Sequence, residues 1–296
     1  MTMETFGDKL YRLVSNARNI LFLQGEIAQL TYQSFVKYIE VINENNKLGI
    51  QITYPVGFRP DNTTIDSTVT YTKENLIERY QYLGLTQLPI NGIYQLVTTI
   101  ETLLGNILKE TLIQFPAKIS NKKKLDYEVV LGAKSLDEIK LAVVNSILNE
   151  LSYKTPKEYG EEFEKYIGVK LLEQPIYHRY IELKATRDIY IHNQGVANDI
   201  YTNKADRLSR VKSGQFLPVN IQYFLHSYEN CIQLTEILEE ELSKIWPSLD
   251  YQKSKTQNLE QQKEQAIEKA IETAEALPVA EIKHTKKVKR TTKKKE

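Results

Sequence analysis

The chain has 296 residues, 41% of them hydrophobic and 26% charged, enough for one large domain or two small ones and too apolar for a fully disordered polymer. Its net charge of +1 is unevenly spread: eight Lys and Arg against Glu296 give residues 283–296 a charge of +7, leaving −6 on the first 282. No apolar run approaches the roughly 18 residues of a transmembrane helix, and Glu4 and Asp8 stand where a signal peptide would be apolar. The single cysteine, Cys231, excludes an intrachain disulfide and a thiolate zinc cluster. The expectation is a reduced, cytoplasmic protein without membrane association.

Residues 4–47 carry apolar residues at helical spacing, from Leu10 and Leu13 through Ile20, Leu23, Ile27 and Leu30 to Ile42. That reads as a helical hairpin or one long helix with a break. Between Ile50 and Thr72 the pattern alternates around Pro55, Gly57, Pro60 and Asp61-Asn62, which predicts a short β-hairpin or an irregular insert. Helical spacing returns over Tyr71–Leu85 and again from Gly92 to Phe115, where Pro116 stops it. Ser135 and Thr155, each followed three residues on by Glu, read as capping boxes for helices over 139–151 and 159–167, the second closed by Gly168. Pro175 opens a helix to about Asn193, broken by Gly195, and Pro218 opens the last, to about Trp246. No βαβ alternation occurs. The fold class is therefore all-α, an up-and-down bundle of several helices with one short insert. The chain divides into a helical region over 1–89, a bundle over 90–246, and, over 247–296, a marginal helix at 258–277 followed by a disordered Lys-rich tail.

Common catalytic signatures are missing. There is no Gly-rich phosphate loop, no His-Glu-x-x-His, no paired-Cys spacing and no Gly-x-Ser-x-Gly elbow, so neither cofactor nor metal is expected. One segment stands out, Arg187-Asp188-Ile189-Tyr190-Ile191-His192-Asn193. On an ideal helix with Ile176 at zero, Arg187 falls at about 20°, inside the apolar arc of Tyr180, Leu183 and Tyr190. His192 falls at about 160°, interleaved with Ile181 and Ala185, while Glu182, Thr186 and Asn193 cluster near 240–280° as the expected wet face. A guanidinium on a face the chain buries needs a partner or a task. As structural readings, Arg187 pairs with Asp188 or with a Glu of a neighbouring helix, His192 is a satisfied core histidine, and Asn193 caps the helix ahead of Gly195. Tyr190 reads as core, and His178 and His226 as structural or exposed.

Arg187 and His192 with four intervening residues, the first of them the polar Asp188, continued by His192-Asn193-Gln194-Gly195 and the downstream Asn198 and Tyr201, resemble the motif of the HEPN domains (higher eukaryotes and prokaryotes nucleotide-binding). The resemblance is to prokaryotic members linked to toxin–antitoxin and defence loci, and it covers roughly residues 90–246. Asp188 stands where that motif often has Asn. The resemblance implies a small helical bundle acting as a homodimer, with the two motifs brought together across the two-fold. It implies a metal-independent endoribonuclease in which Arg187 clamps the phosphate and His192 is the general acid/base, supported by Asp188 and Asn193. An antitoxin or another defence protein is an implied partner.

The residue types suit that chemistry, since an unperturbed imidazole titrates near pH 6.5 and a forked guanidinium matches a phosphorane's charge. Lys204, Arg207, Arg210 and Lys212, with Lys122-Lys123-Lys124 earlier, are candidate contacts to an RNA backbone, as is the Lys283–Lys295 tail. A different class of reading is a non-catalytic HEPN-like module that dimerises or binds a partner protein or nucleotide, with Arg187 in a structural ion pair.

Overall fold

A computed structural model describes residues 4–44, 49–119, 127–258, 260, 261 and 265. Lys122-Lys123-Lys124, the Lys283–Lys295 tail and most of the helix expected over 258–277 lie outside the described residues. Residues Met1–Ser248 form one compact unit. Leu249–Glu296 form a second, in which 249–258 are helical.

The first unit is mostly helical, with one antiparallel hairpin. Helix α1, Phe6–Glu44, runs unbroken for 39 residues; neither the predicted break nor a helical hairpin occurs. Leu10, Val14, Ala17, Leu21 and Ala28 fall at intervals of three, four or seven positions on its buried face, so one stripe is continuous and nothing forces a turn. Strands β1, Ile50–Phe58, and β2, Thr64–Tyr71, pair from Ile50 opposite Tyr71 to Phe58 opposite Thr64, with a bulge between Pro55 and Gly57. The turn carries Asn62 at φ 64°.

Helix α2, Lys73–Tyr82, starts at Thr72, whose hydroxyl accepts from the Asn75 N–H. It leads without interruption through a π-turn, Leu83–Gln87, into α3, Leu88–Gln114. The gap predicted between Leu85 and Gly92 is thus helical. Pro89 offers no N–H to the turn before it, and there the Leu88 N–H bonds the Leu83 carbonyl, five residues back. Helix α3 is the central element. It buries thirteen residues, among them Ile93, Leu96, Ile100, Leu104, Ile107 and Leu108, and it packs against α1 and the later helices.

After Tyr127–Gly132, α4, come α5, Leu136–Ser152, and α6, Pro156–Ile167. The Thr155 capping box is complete: its hydroxyl accepts from the Glu158 N–H and the Glu158 carboxylate accepts from the Thr155 N–H. At Ser135 only half is made, because Glu138 takes the Lys134 N–H instead. Thr155→Ala is expected to cost about 1 kcal/mol in urea unfolding, a typical N-cap loss, while Ser135→Ala costs less. Helices α7, Pro175–His192, α8, Asp199–Ala205, and α9, Ile221–Ile245, complete the unit. The last of these begins at Asn220, whose side chain accepts from the Tyr223 N–H, rather than at Pro218. Residues on either side of position 89 share one core, Leu10, Val14 and Leu21 joining Ile93 to Leu112 and Phe224 to Leu242. Phe6, Phe115 and Trp246 close one end with ring centroids 5.1–5.9 Å apart.

No helix among the described residues is long and apolar enough to cross a membrane.

Candidate functional site

Helix α7 carries the site, and its two sides have opposite characters. On one side a cleft of about 800 Å³ opens between α3, α5 and α7. Glu101 and Leu104 of α3, Ser152 at the end of α5, Tyr159 of α6, and Tyr177, Tyr180, Lys184, Arg187, Asp188 and His192 of α7 line it, with Lys204 of α8. Arg187 is 17% exposed in its side chain. Its Nη2 donates to Glu101 Oε1 at 2.9 Å, an oxygen that also lies 2.6 Å from Lys184 Nζ. Arg187 Nε sits 3.0 Å from Asp188 Oδ1 but is misaligned for a hydrogen bond and finds no other partner among the described residues, while Asp188 Oδ2 accepts from Lys204 at 3.2 Å. Three cations against two carboxylates leave this cluster one positive charge in excess before His192 is counted.

Burial shapes the aromatic wall. Tyr180 is buried, its hydroxyl meets no hydrogen-bond partner among the described residues, and burial with Glu101 nearby raises its pKa well above the ordinary phenol value. Burial likewise raises the hydroxyls of Tyr159 and Tyr177, the latter donating to the Pro156 carbonyl at 3.0 Å. All three stay protonated donors at neutral pH.

Arg187 and His192 therefore open onto the same cleft, although they lie about 140° apart on an ideal helix. His192 is exposed at the last residue of α7 rather than buried. The reason is the helix end: past His192 the chain turns away through Gln194 at φ 50° and Gly195 at φ 81°, and position 192 stays exposed among the described residues. Asn193 is the C-cap, and its side-chain amide donates to the Val196 carbonyl. Gly195 is required twice over. Its φ is left-handed, and a Cβ there would sit 2.8 Å from the Phe216 ring. Gly195→Ala is expected to lower stability by about 1–2 kcal/mol in chemical denaturation, the cost of a left-handed L-residue, before the ring contact is added.

The other side of α7 corrects the sequence reading. Glu182 and Thr186, expected on the wet face, are buried. Helix α8, the connection after it and Tyr223 of α9 fold over them, so the polar face meets polar partners instead of water. Glu182 Oε1 accepts from Thr186 at 2.8 Å, from the Tyr201 hydroxyl at 2.9 Å and from Arg210 Nε at 3.0 Å. Glu182 Oε2 accepts from Tyr223 at 2.8 Å. Arg210, proposed from sequence as an RNA contact, is committed here. It stacks on Tyr223 with its guanidinium carbon 3.7 Å from the ring centroid and donates to the Pro218 carbonyl at 2.5 Å. Its burial works against the charge, and Tyr223 and Glu182 more than compensate. The hydroxyls of Tyr201 and Tyr223 are pushed up by burial, then by Glu182.

Of the remaining candidates, Lys204 lines the cleft, whereas Arg207 and Lys212 are exposed and outside its lining. Tyr190 is half-buried and donates to the Leu217 carbonyl at 2.6 Å. His178 donates from Nε2 to the Leu172 carbonyl at 2.9 Å, and His226 is exposed. Sequence reasoning passed over Glu101, Lys184 and the three tyrosines. A signal for Glu101 existed, since it is the only acid between Pro89 and Lys109. Among the described residues no three His, Cys, Asp or Glu gather as a metal-binding group. No family model, no curated protein and no solved structure matches the chain.

Proposed function

We propose that the α7 cleft binds and cleaves RNA without a metal, in the manner implied by the HEPN resemblance, and that the active form is a homodimer. The observation that carries this reading is that Arg187 and His192 both line one open cleft, with Lys184 and Lys204 beside them, instead of ending in the core. A cleft with excess positive charge, a titratable imidazole at its rim and aromatic walls fits a phosphodiester flanked by bases. In the reaction the 2′-oxygen attacks phosphorus, the P–O2′ bond forms and the P–O5′ bond breaks. His192 takes the 2′-hydroxyl proton, and the second copy's imidazole gives a proton to the departing 5′-oxygen. Arg187 stabilises the phosphorane, exchanging Glu101 for phosphate oxygens. Antitoxin or defence partners belong to the same reading.

The test is end-group analysis of RNA incubated with the protein in EDTA. The expected products carry 2′,3′-cyclic phosphate, and a 2′-deoxy sugar at the cut site blocks them. Intact RNA, or 3′-hydroxyl products, would overturn the reading.

A second reading is favoured by the pairing of Arg187 with Glu101 and Asp188, the structural ion pair of a non-catalytic module. Under it the Arg187→Ala protein loses stability and no RNA is cut by either form.

A further inference from the structure

Helix α1 carries a second apolar stripe that the described residues of the first unit leave exposed. Ile20, Leu23, Ile27 and Leu30 are each 47–56% exposed. At 100° per residue they fall within an arc of about 80°, and that arc lies about 120° around the helix from the stripe buried in the core. Across the helix, Phe22 is also exposed, and with Leu225 it rims an apolar groove of about 750 Å³. Apolar side chains exposed on a helix face beyond its buried stripe call for a further packing partner, and the described residues of this unit do not supply one.

The spacing indicates the occupant. Positions 20, 23, 27 and 30 are symmetric about position 25. An antiparallel copy of α1 therefore places Ile20 against Leu30 and Leu23 against Ile27, each pair made twice. One step further out, exposed Asn16 meets exposed Ser34, so an apolar centre ends in polar pairs. Charges do not oppose the match: Glu26 meets Gln24, and Arg12 meets Tyr38. We infer that α1 is a self-association surface, on which a second copy of this chain docks antiparallel about a two-fold that crosses the stripe at the level of position 25, Gly25 itself facing the other way against the Tyr228 ring. Four half-exposed side chains offer roughly 400 Å² of apolar surface per copy, as large as the biggest patch on a typical monomer. With the flanking polar residues this gives a contact at the lower edge of specific interfaces, hence reversible association at micromolar concentrations.

This contact is independent of the proposed RNA chemistry. Helix α1 packs on α3 and α9, whereas the cleft opens between α3, α5 and α7. Pairing through α1 does not use Arg187 or His192, so a dimer joining two clefts would be a separate contact.

Sedimentation velocity on the full chain from 5 to 200 µM is the test. Wild type is expected to associate over this range, and Leu23→Glu/Ile27→Glu to lose one step of association with an unchanged helical circular dichroism spectrum, because both positions are exposed. Leu23→Cys/Ile27→Cys is expected to form a covalent dimer on mild oxidation, whereas Ile20→Cys alone, about 15 Å from its counterpart, is not. A wild-type monomer at 200 µM, association unchanged in the Glu variant, or efficient cross-linking through Ile20→Cys would each overturn the inference.

Discussion

Arg187→Ala and His192→Ala are each expected to reduce metal-free RNA cleavage by about 100–1,000-fold, the usual cost of removing one transition-state donor or proton carrier. The two losses should differ in what accompanies them. Arg187 is mostly buried and bonded to Glu101, which Lys184 also neutralises. Its removal leaves Asp188 to Lys204 alone, so some loss of stability is expected with the loss of rate. His192 is exposed and has no role in packing, so His192→Ala should unfold at the wild-type denaturant midpoint. Single-turnover rates in EDTA, measured beside urea midpoints, separate the two. Full activity in His192→Ala would remove the imidazole from the mechanism.

Glu182→Ala is expected to be the most destabilising single change in the α7 region, by about 3–5 kcal/mol. It leaves Arg210, Tyr201, Tyr223 and Thr186 without the carboxylate that four of their donors share. For a domain of this size that corresponds to a fall in Tm of about 10 °C or more. Tyr223→Phe deletes one donor from the network and should cost about 1–2 kcal/mol. A double-mutant cycle between Glu182→Ala and Arg210→Met checks the coupling, because losing both charges together should hurt less than losing the carboxylate alone. If Glu182→Ala unfolds within about 1 kcal/mol of wild type, the network does not hold α8 and its connection to α7.

Elements with local punctuation could be read from sequence. Thr155-Pro-Lys-Glu158, Pro175 and the alternation around Pro55 and Pro60 announced α6, α7 and the hairpin, because caps, proline and strand period act within a few residues. The seven-residue α8 is too short for periodicity, although Asn198 caps it with a 3.0 Å bond to the Tyr201 N–H. The larger miss was the second face of α7. A helical wheel weighs only the residues of that helix, and Glu182 with Thr186 reads as solvent-facing on any such count. What buries them arrives from Tyr201, Arg210 and Tyr223, 19 to 41 residues later, and no local pattern encodes that meeting. Arg187 shows the converse. Its place in the apolar arc correctly marked it as a cation needing a partner, and one partner, Glu101, lies 86 residues away on α3.

The most direct test of the α7 cleft is to watch its histidine while a substrate mimic binds. The chain has four histidines, few enough to assign their ring signals by substitution. In a titration with a short oligonucleotide made uncleavable by 2′-deoxy sugars, the His192 signals should move and saturate. Those of His178 and His226 should stay in place, and the response should vanish in Arg187→Ala. A stationary His192 at saturating oligonucleotide, or the same shift in Arg187→Ala, would contradict the assignment of this cleft to RNA.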